Sequence, residues 1–405
     1  MGRLGKQPYL LPFVLITSLF FMWGFAISML DVLNKHFQDA LHVTKAQSGL
    51  IQLAVYGAYF LMALPTGYFM QKYSYKRVIL VGLGLYATGA FLFYPATQIA
   101  TFEFFLMALF VLGCGLAIIE TAANPYVTVL GKPAGAATRL NLAQSFNGLG
   151  VILGPLIGGL LLFAGHPEDM VSLVSIRAPY LVIGMLALSM LFVFYTVDLP
   201  EIQSEGNASY ETTEDPRATA SIFRQKHFVY GIVTLFFYVG AQAGVWAFFI
   251  NYAVEEASGM TNQKAAFYLA AAMVAYTIGR FGGTWLMQYF SPRLLLLVYA
   301  VLAILSIGVV LAQLGIVSVY ALILSCFCMS IMFPTVFSLG IRELGSGTKR
   351  AGSYMIMSIV GGAVFPPLMG WVADATQTSF AFFMPLICFS VVLWYGWSGY
   401  KKRSV

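Results

Sequence analysis

Two carboxylates, Asp31 and Glu120, lie well inside long apolar stretches of the sequence, whereas Glu103 and Asp198 sit at the edges of such stretches and the other acids in polar connections. A carboxylate at membrane depth costs ~2.5–3.5 kcal/mol on insertion scales. It must face a wet cavity, pair with a cation, or carry a proton. Neither stretch contains an internal Lys or Arg, and the one cation within the apolar pattern is Arg280. The chemistry expected of Asp31 and Glu120 is therefore proton handling or recognition of a polar substrate, with a structural ion pair as the alternative. Arg280, followed by Phe281-Gly282-Gly283, is expected either to contact substrate or lock a gate, or to pack beneath the polar turn at 287–293.

Amides form the second set. Asn141, Gln144 and Asn147 recur every three residues and so line nearly one face of a helix over two turns. An amide offers both donors and an acceptor, which suits hydroxyl-rich ligands; hydrogen bonding between helices is the competing use. Gln242, Trp246 and Asn251 add a polar and aromatic group further on, with Trp246 on the Gln242 face. Carboxylates and amides at the hydroxyls, with an aromatic ring against the C–H face, are the groups that bind a sugar. Tyr268, Tyr276 and Tyr354 are further candidates. Asn124-Pro125 follows Glu120 by one turn, where proline interrupts the helical bonding, frees a carbonyl and bends the helix.

Enzyme chemistry finds no such grouping. His36, His42, His166 and His227 fall at helix ends or in connections, and Cys114, Cys326, Cys328 and Cys388 read as small packing residues without metal or disulfide spacing. No metal, cofactor or nucleic-acid partner is expected.

The elements that must hold these groups are membrane spans. Of 405 residues, 60% are hydrophobic and 9% charged, against about a quarter charged in soluble domains. Apolar windows long enough to cross a bilayer recur near 9–33, 49–70, 78–97, 104–130, 140–164 and 180–197. After a polar segment at 199–225 they resume near 229–254, 265–289, 294–314, 319–340, 353–373 and 380–397. The expectation is an all-α membrane protein of twelve transmembrane helices: a bundle over 1–198, a cytoplasmic linker over 199–225, and a bundle over 226–405. The first stretch is too long for a signal-peptide core. With both termini inside, 17 of the 22 Lys and Arg fall on the cytoplasmic side and 4 outside, leaving Arg280 within a span. The net charge of +6 then reflects anchors facing an anionic leaflet. The Asn207-Ala208-Ser209 sequon lies on that same inner side and is expected to be unused.

The halves repeat. Residues 70–76 (MQKYSYK) align with 287–293 (MQYFSPR), 124–131 with 333–340, and Arg139, Gly150, Pro155 and Gly159 with Arg350, Gly361, Pro366 and Gly370. Two such repeats about an axis along the membrane normal are the arrangement of major facilitator transporters. The 67–77 connection resembles that superfamily's loop between its second and third helices. Gln71 stands where an acid is usual, while the basic Lys72, Lys76 and Arg77 remain in gating or structural positions.

With the motifs Phe21-Met22-Trp23-Gly24-Phe25, Glu120-Thr121-Ala122-Ala123-Asn124-Pro125, the 139–147 run and Tyr238-Val239-Gly240-Ala241-Gln242 assembled, the chain resembles the fucose–galactose–glucose/proton symporter family over essentially its whole length. The resemblance implies the major facilitator fold and a proton-coupled sugar symporter of the bacterial inner membrane, with sugar, proton and lipid as its partners and the carrier a monomer. It implies that Asp31 takes the proton and Glu120 couples protonation to sugar binding. It also places the amide of Asn147 in the sugar cavity. Leu30 stands where many relatives have Asn, with Asn34 one turn on, and bears on which sugar is carried. A proton/drug antiporter and a non-transporting nutrient sensor are the competing readings. The amides argue against the first, and the short 199–225 segment argues against the second.

Overall fold

The computed structural model describes residues 9–130, 136–163, 173–200, 222–342, 344 and 348–400. The linker expected at 199–225, with its Asn207 sequon, lies largely outside the described residues. The described elements are helices throughout. Twelve are long and apolar enough to cross a membrane: Leu10–Leu41, Lys45–Met70, Tyr75–Ile99, Phe102–Val127, Leu142–Phe163 and Leu173–Thr196, then Lys226–Ala247, Asn262–Leu286, Pro292–Leu311, Ile316–Gly340, Tyr354–Ala375 and Thr378–Gly399.

Local chemistry sets the helix starts. Ser74 Oγ accepts from the Arg77 amide at 3.4 Å, and Ser291 Oγ from the Leu294 amide at 3.3 Å. Each thereby satisfies one of the amides that a helix start leaves unpaired. These serines occupy the same position of the repeated 70–76 and 287–293 segments, so the third and ninth spans begin by the same device. The correspondence extends two residues further. Lys76 Nζ donates to the Tyr195 and Val197 carbonyls at 3.0 and 2.9 Å, where the sixth span ends. Arg293 Nε donates to the Gly396 carbonyl at 3.1 Å, where the twelfth ends.

Three boundaries depart from expectation. The first helix runs on through Asn34, Lys35 and Gln38 to Leu41, because those polar groups find partners: Lys35 Nζ to Asp39 at 2.6 Å, and Gln38 Nε2 to Asn34 Oδ1 and Ser48 Oγ at 2.8 and 2.7 Å. Pro125 does not interrupt the fourth span, whose helix continues to Val129; a membrane helix tolerates the lost bond when neighbours supply others. The seventh span breaks at Phe248 (φ −101°, ψ 7°), and a separate helix, Phe249–Glu256, follows.

By packing, the chain forms two compact units: residues 1–29, 58–157 and 172–212 in one, and 30–57, 158–171 and 213–405 in the other. Within the second unit a polar collar ties the turn between the first and second spans to later helices. Thr44 caps the start of the second span in a capping box with Gln47. Asp374 accepts from the Lys45 and Ala46 amides at 2.8 and 2.7 Å, and Lys45 Nζ reaches Glu255 and Thr378 at 2.7 Å each. Asn262 Nδ2 donates to Asp39 at 2.7 Å, and Asn251 pairs with Gln38. Gly49 allows the backbones to meet: a Cβ there would stand 2.6 Å from the Pro367 nitrogen.

Replacing Asp374 by Ala removes the second anchor of that turn, a loss of about 1 kcal/mol by analogy with helix caps. A cysteine placed at buried Ser48 is expected to react faster with a maleimide in the Asp374→Ala background. Equal labelling would mean that the collar does not hold the turn.

Candidate functional site

In the first unit, Glu120 is half-buried on the fourth span, with the Tyr59 side chain beside it. Leu19, Phe20, Trp23, Ile119 and Ala123 complete a hollow around it whose walls meet too closely for a water-sized guest in this conformation. Trp23 lines the hollow, and its indole nitrogen is a buried donor without a hydrogen-bond partner. The fifth span closes against the first. Asn147 Nδ2 donates to the Phe20 carbonyl at 3.1 Å, and Gly24 makes room for it, since a Cβ there would stand 2.7 Å from that nitrogen. Gln144 Nε2 donates to Asn124 Oδ1 at 3.3 Å. The amides of Gln144 and Asn147 thus serve, at least in part, the helix-to-helix bonding that competes with ligand binding. Asn141 lies on the same helix, Ala136–Phe163, and its side chain is outside the described residues.

In the second unit, Asp31 is buried at 5% exposure with the Gln52 side chain beside it. Gln52 Nε2 makes no hydrogen bond, while its Oε1 accepts from Asn34 at 3.4 Å. Cys326 lies near both Asp31 and Trp246. The Trp246 ring meets Tyr276 edge-on at 5.4 Å, and its indole nitrogen is buried and unpartnered. Tyr276 Oη accepts from Gln242 Nε2 at 3.0 Å and from an Arg280 terminal nitrogen at 2.6 Å. The Arg280 guanidinium stacks 4.8 Å from the same ring. Gln242, Trp246 and Arg280 are therefore brought together around Tyr276.

Asn251 stands apart from that group. The break at Phe248 puts it on the next helix, where it pairs with Gln38, which corrects the expectation of one continuous set on the seventh span. Tyr354 packs edge-on against Phe223 at 5.0 Å. Lys72 and Arg77 are exposed, and Lys72 lies over the Tyr73 ring at 5.7 Å. Sequence reasoning gave Trp23 no role and read Cys326 as packing. A buried indole nitrogen without a partner is the signal for Trp23, and only coordinates reveal it. Among the described residues no group of three or more His, Cys, Asp or Glu could hold a metal ion.

Residues 14–355 match the Major Facilitator Superfamily. The L-fucose-proton symporter of Escherichia coli (strain K12) is 39% identical over 405 residues, covering 96% of this chain and 92% of the relative. A glucose/galactose transporter of Brucella abortus is 36% identical over 390 residues, covering 96% and 93%. Among solved structures, that of FucP, a major facilitator transporter in the outward conformation, superposes with a TM-score of 0.71 at 38% identity, covering 98% of this chain and 100% of the other.

Tyr276 is the acceptor on which two half-buried donors converge. Tyr276→Phe keeps the ring and deletes the oxygen, leaving the Arg280 cation with one partner fewer. The expected loss is about 1.5–3 kcal/mol, the range for hydrogen bonds to charged groups, read as a lowered melting temperature. An unchanged melting temperature would show that Arg280 is held by other means.

Proposed function

We propose that this chain, which belongs to the major facilitator superfamily, is a proton-coupled symporter that carries a hexose-type, deoxy or anhydro sugar across the bacterial inner membrane by alternating access. The observation that carries the reading is a pair of carboxylates, Asp31 and Glu120, retained within apolar helices of a chain that aligns along nearly its full length with named sugar transporters. Those relatives bear the names L-fucose-proton symporter and glucose/galactose transporter. This chain takes a substrate of that hydroxylated class.

Asp31 carries the coupling proton. It is buried, and among the described residues no Lys, Arg or His bonds it, so its charged form is disfavoured until a proton arrives. Glu120 accepts from sugar hydroxyls and couples that binding to protonation. Trp23 donates its indole N–H beside it, and the free Oδ1 of Asn147, with Gln144 and Asn124, completes the polar face. Gln242 and Trp246 contribute a second polar and aromatic face, which Tyr276 and Arg280 orient. The present closure of the Trp23–Glu120 hollow belongs to one state of the cycle, and sugar enters it in another.

The energetics suffice with one proton per sugar. A proton moving down 100 mV supplies about 2.3 kcal/mol, and a pH unit adds about 1.4 kcal/mol. Together they sustain a several-hundred-fold gradient of a neutral solute. The proton is the coupling ion, no other cofactor enters the cycle, and the carrier acts as a monomer in the bilayer.

Two measurements test this. In proteoliposomes under an imposed pH gradient, Asp31→Asn is expected to abolish accumulation of labelled fucose, galactose or glucose while retaining exchange; normal accumulation by the variant would refute the coupling role. In calorimetry, Glu120→Ala is expected to lose sugar binding. Trp23→Phe is expected to bind about tenfold more weakly, the worth of one hydrogen bond. Unchanged affinity in both would remove the hollow from the substrate path.

A further inference from the structure

On the first unit, away from the groups considered above, a groove of about 360 Å³ runs between the second and third spans. Met62, Phe69, Val78, Val81, Leu85 and Ile118 make it apolar. Of the two hydroxyl-bearing residues on its wall, Thr66 spends its Oγ1 on the Met62 carbonyl of its own helix at 2.7 Å, and Tyr73 stands at the end. Arg77 and Tyr73 stand at one end, beside the turn that joins the two spans. The lining contains no acid. Among the described residues the Arg77 side chain makes no hydrogen bond. Its neighbour Lys76 is already committed to the Tyr195 and Val197 carbonyls, whereas Lys72, one turn away, is exposed.

The dimensions decide what fits. From Arg77 to Leu85 the wall extends eight residues, about 12 Å at helical rise, and from Tyr73 to Met62 eleven residues, about 16 Å. One leaflet of a bilayer contributes about 15 Å of hydrocarbon. The groove is thus about as long as one leaflet is deep, apolar along most of its length, and positive only at the end beside the 73–77 turn. A sugar would find no hydroxyl partner along its floor. Basic pockets on this kind of surface select anionic headgroups.

We propose that the groove is a lipid site that holds one acyl chain of an anionic phospholipid, with its phosphate against Arg77 and Lys72. The occupant comes from the leaflet that flanks the 73–77 turn. Filling the groove joins the second span to the third through hydrocarbon contact, and the charge at the mouth chooses which lipid does so.

The test uses the full chain in nanodiscs of phosphatidylcholine, titrated with phosphatidylglycerol, read by melting temperature and by native mass spectrometry of retained lipid. The wild type is expected to rise in melting temperature and to retain one phosphatidylglycerol. Arg77→Gln with Lys72→Gln is expected to bind it at least tenfold more weakly, and Val81→Trp, which plugs the groove from an exposed position, is expected to bind none. Equal retention by the charge variant, or equal stabilisation by phosphatidylcholine, overturns the proposal. So does the same stabilisation from inorganic phosphate alone, which would mark an anion site without a chain. A dimer that Val81→Trp dissociates would make the occupant a second copy of the protein and would overturn it as well. Should Val81→Trp not fold, the charge variant decides.

Discussion

Hydrocarbon has nothing with which to hydrogen-bond, and that constraint orders the polar side chains of this molecule. Every donor and acceptor within a span must be met by the protein or left at a cost. Most are met. Asn147 bonds the Phe20 carbonyl, Gln144 bonds Asn124, Asn34 and Gln38 reach Ser48, and Tyr276 gathers Gln242 and Arg280. Among the unmet groups are the indole nitrogens of Trp23 and Trp246, Nε2 of Gln52 and Nε of Arg280. Trp23 borders Glu120, Gln52 borders Asp31, and the other two belong to the Tyr276 group. Two of these unmet groups thus border the two acids, the most expensive groups to keep in oil.

The internal repeat acts through pairs of small, equivalent contacts. Ser74 and Ser291 start corresponding helices, and Lys76 and Arg293 each clamp the carbonyls at the end of the sixth span of their series. The cation differs while the task is kept, since either side chain can neutralise the negative end of a helix dipole. The site chemistry diverges between the series. The first series carries two carboxylates with amides and an indole, and the second carries an arginine with a phenol, an amide and an indole.

Much of this was legible in the sequence. Span number followed from the length of the apolar runs, and the repeat from the shared 70–76 and 287–293 segments. Asp31, Glu120 and Arg280 were identified because a charge in an apolar run is conspicuous wherever it points. What stayed hidden depends on partners distant in the chain. The first helix outlasts its apolar pattern because Asn34 and Gln38 meet Ser48. Asn251 falls on a separate helix because the seventh span breaks at Phe248. Whether an amide on the fifth span serves ligand or neighbour rests on which carbonyl it meets, and periodicity does not encode that.

The break at Phe248 has a mechanical consequence. A continuous rod from Lys226 to Glu256 would transmit any tilt at one end to the other. Interrupted, the segment is two helices: the longer bears Gln242 and Trp246, and the shorter bears Asn251 and Glu255, fastened to Gln38 and Lys45. When those fastenings release, movement of the short helix can reach the tryptophan through the backbone bonds that flank the break, Phe248 N–H to the Gly244 carbonyl at 3.1 Å and Tyr252 N–H to the Phe248 carbonyl at 3.0 Å.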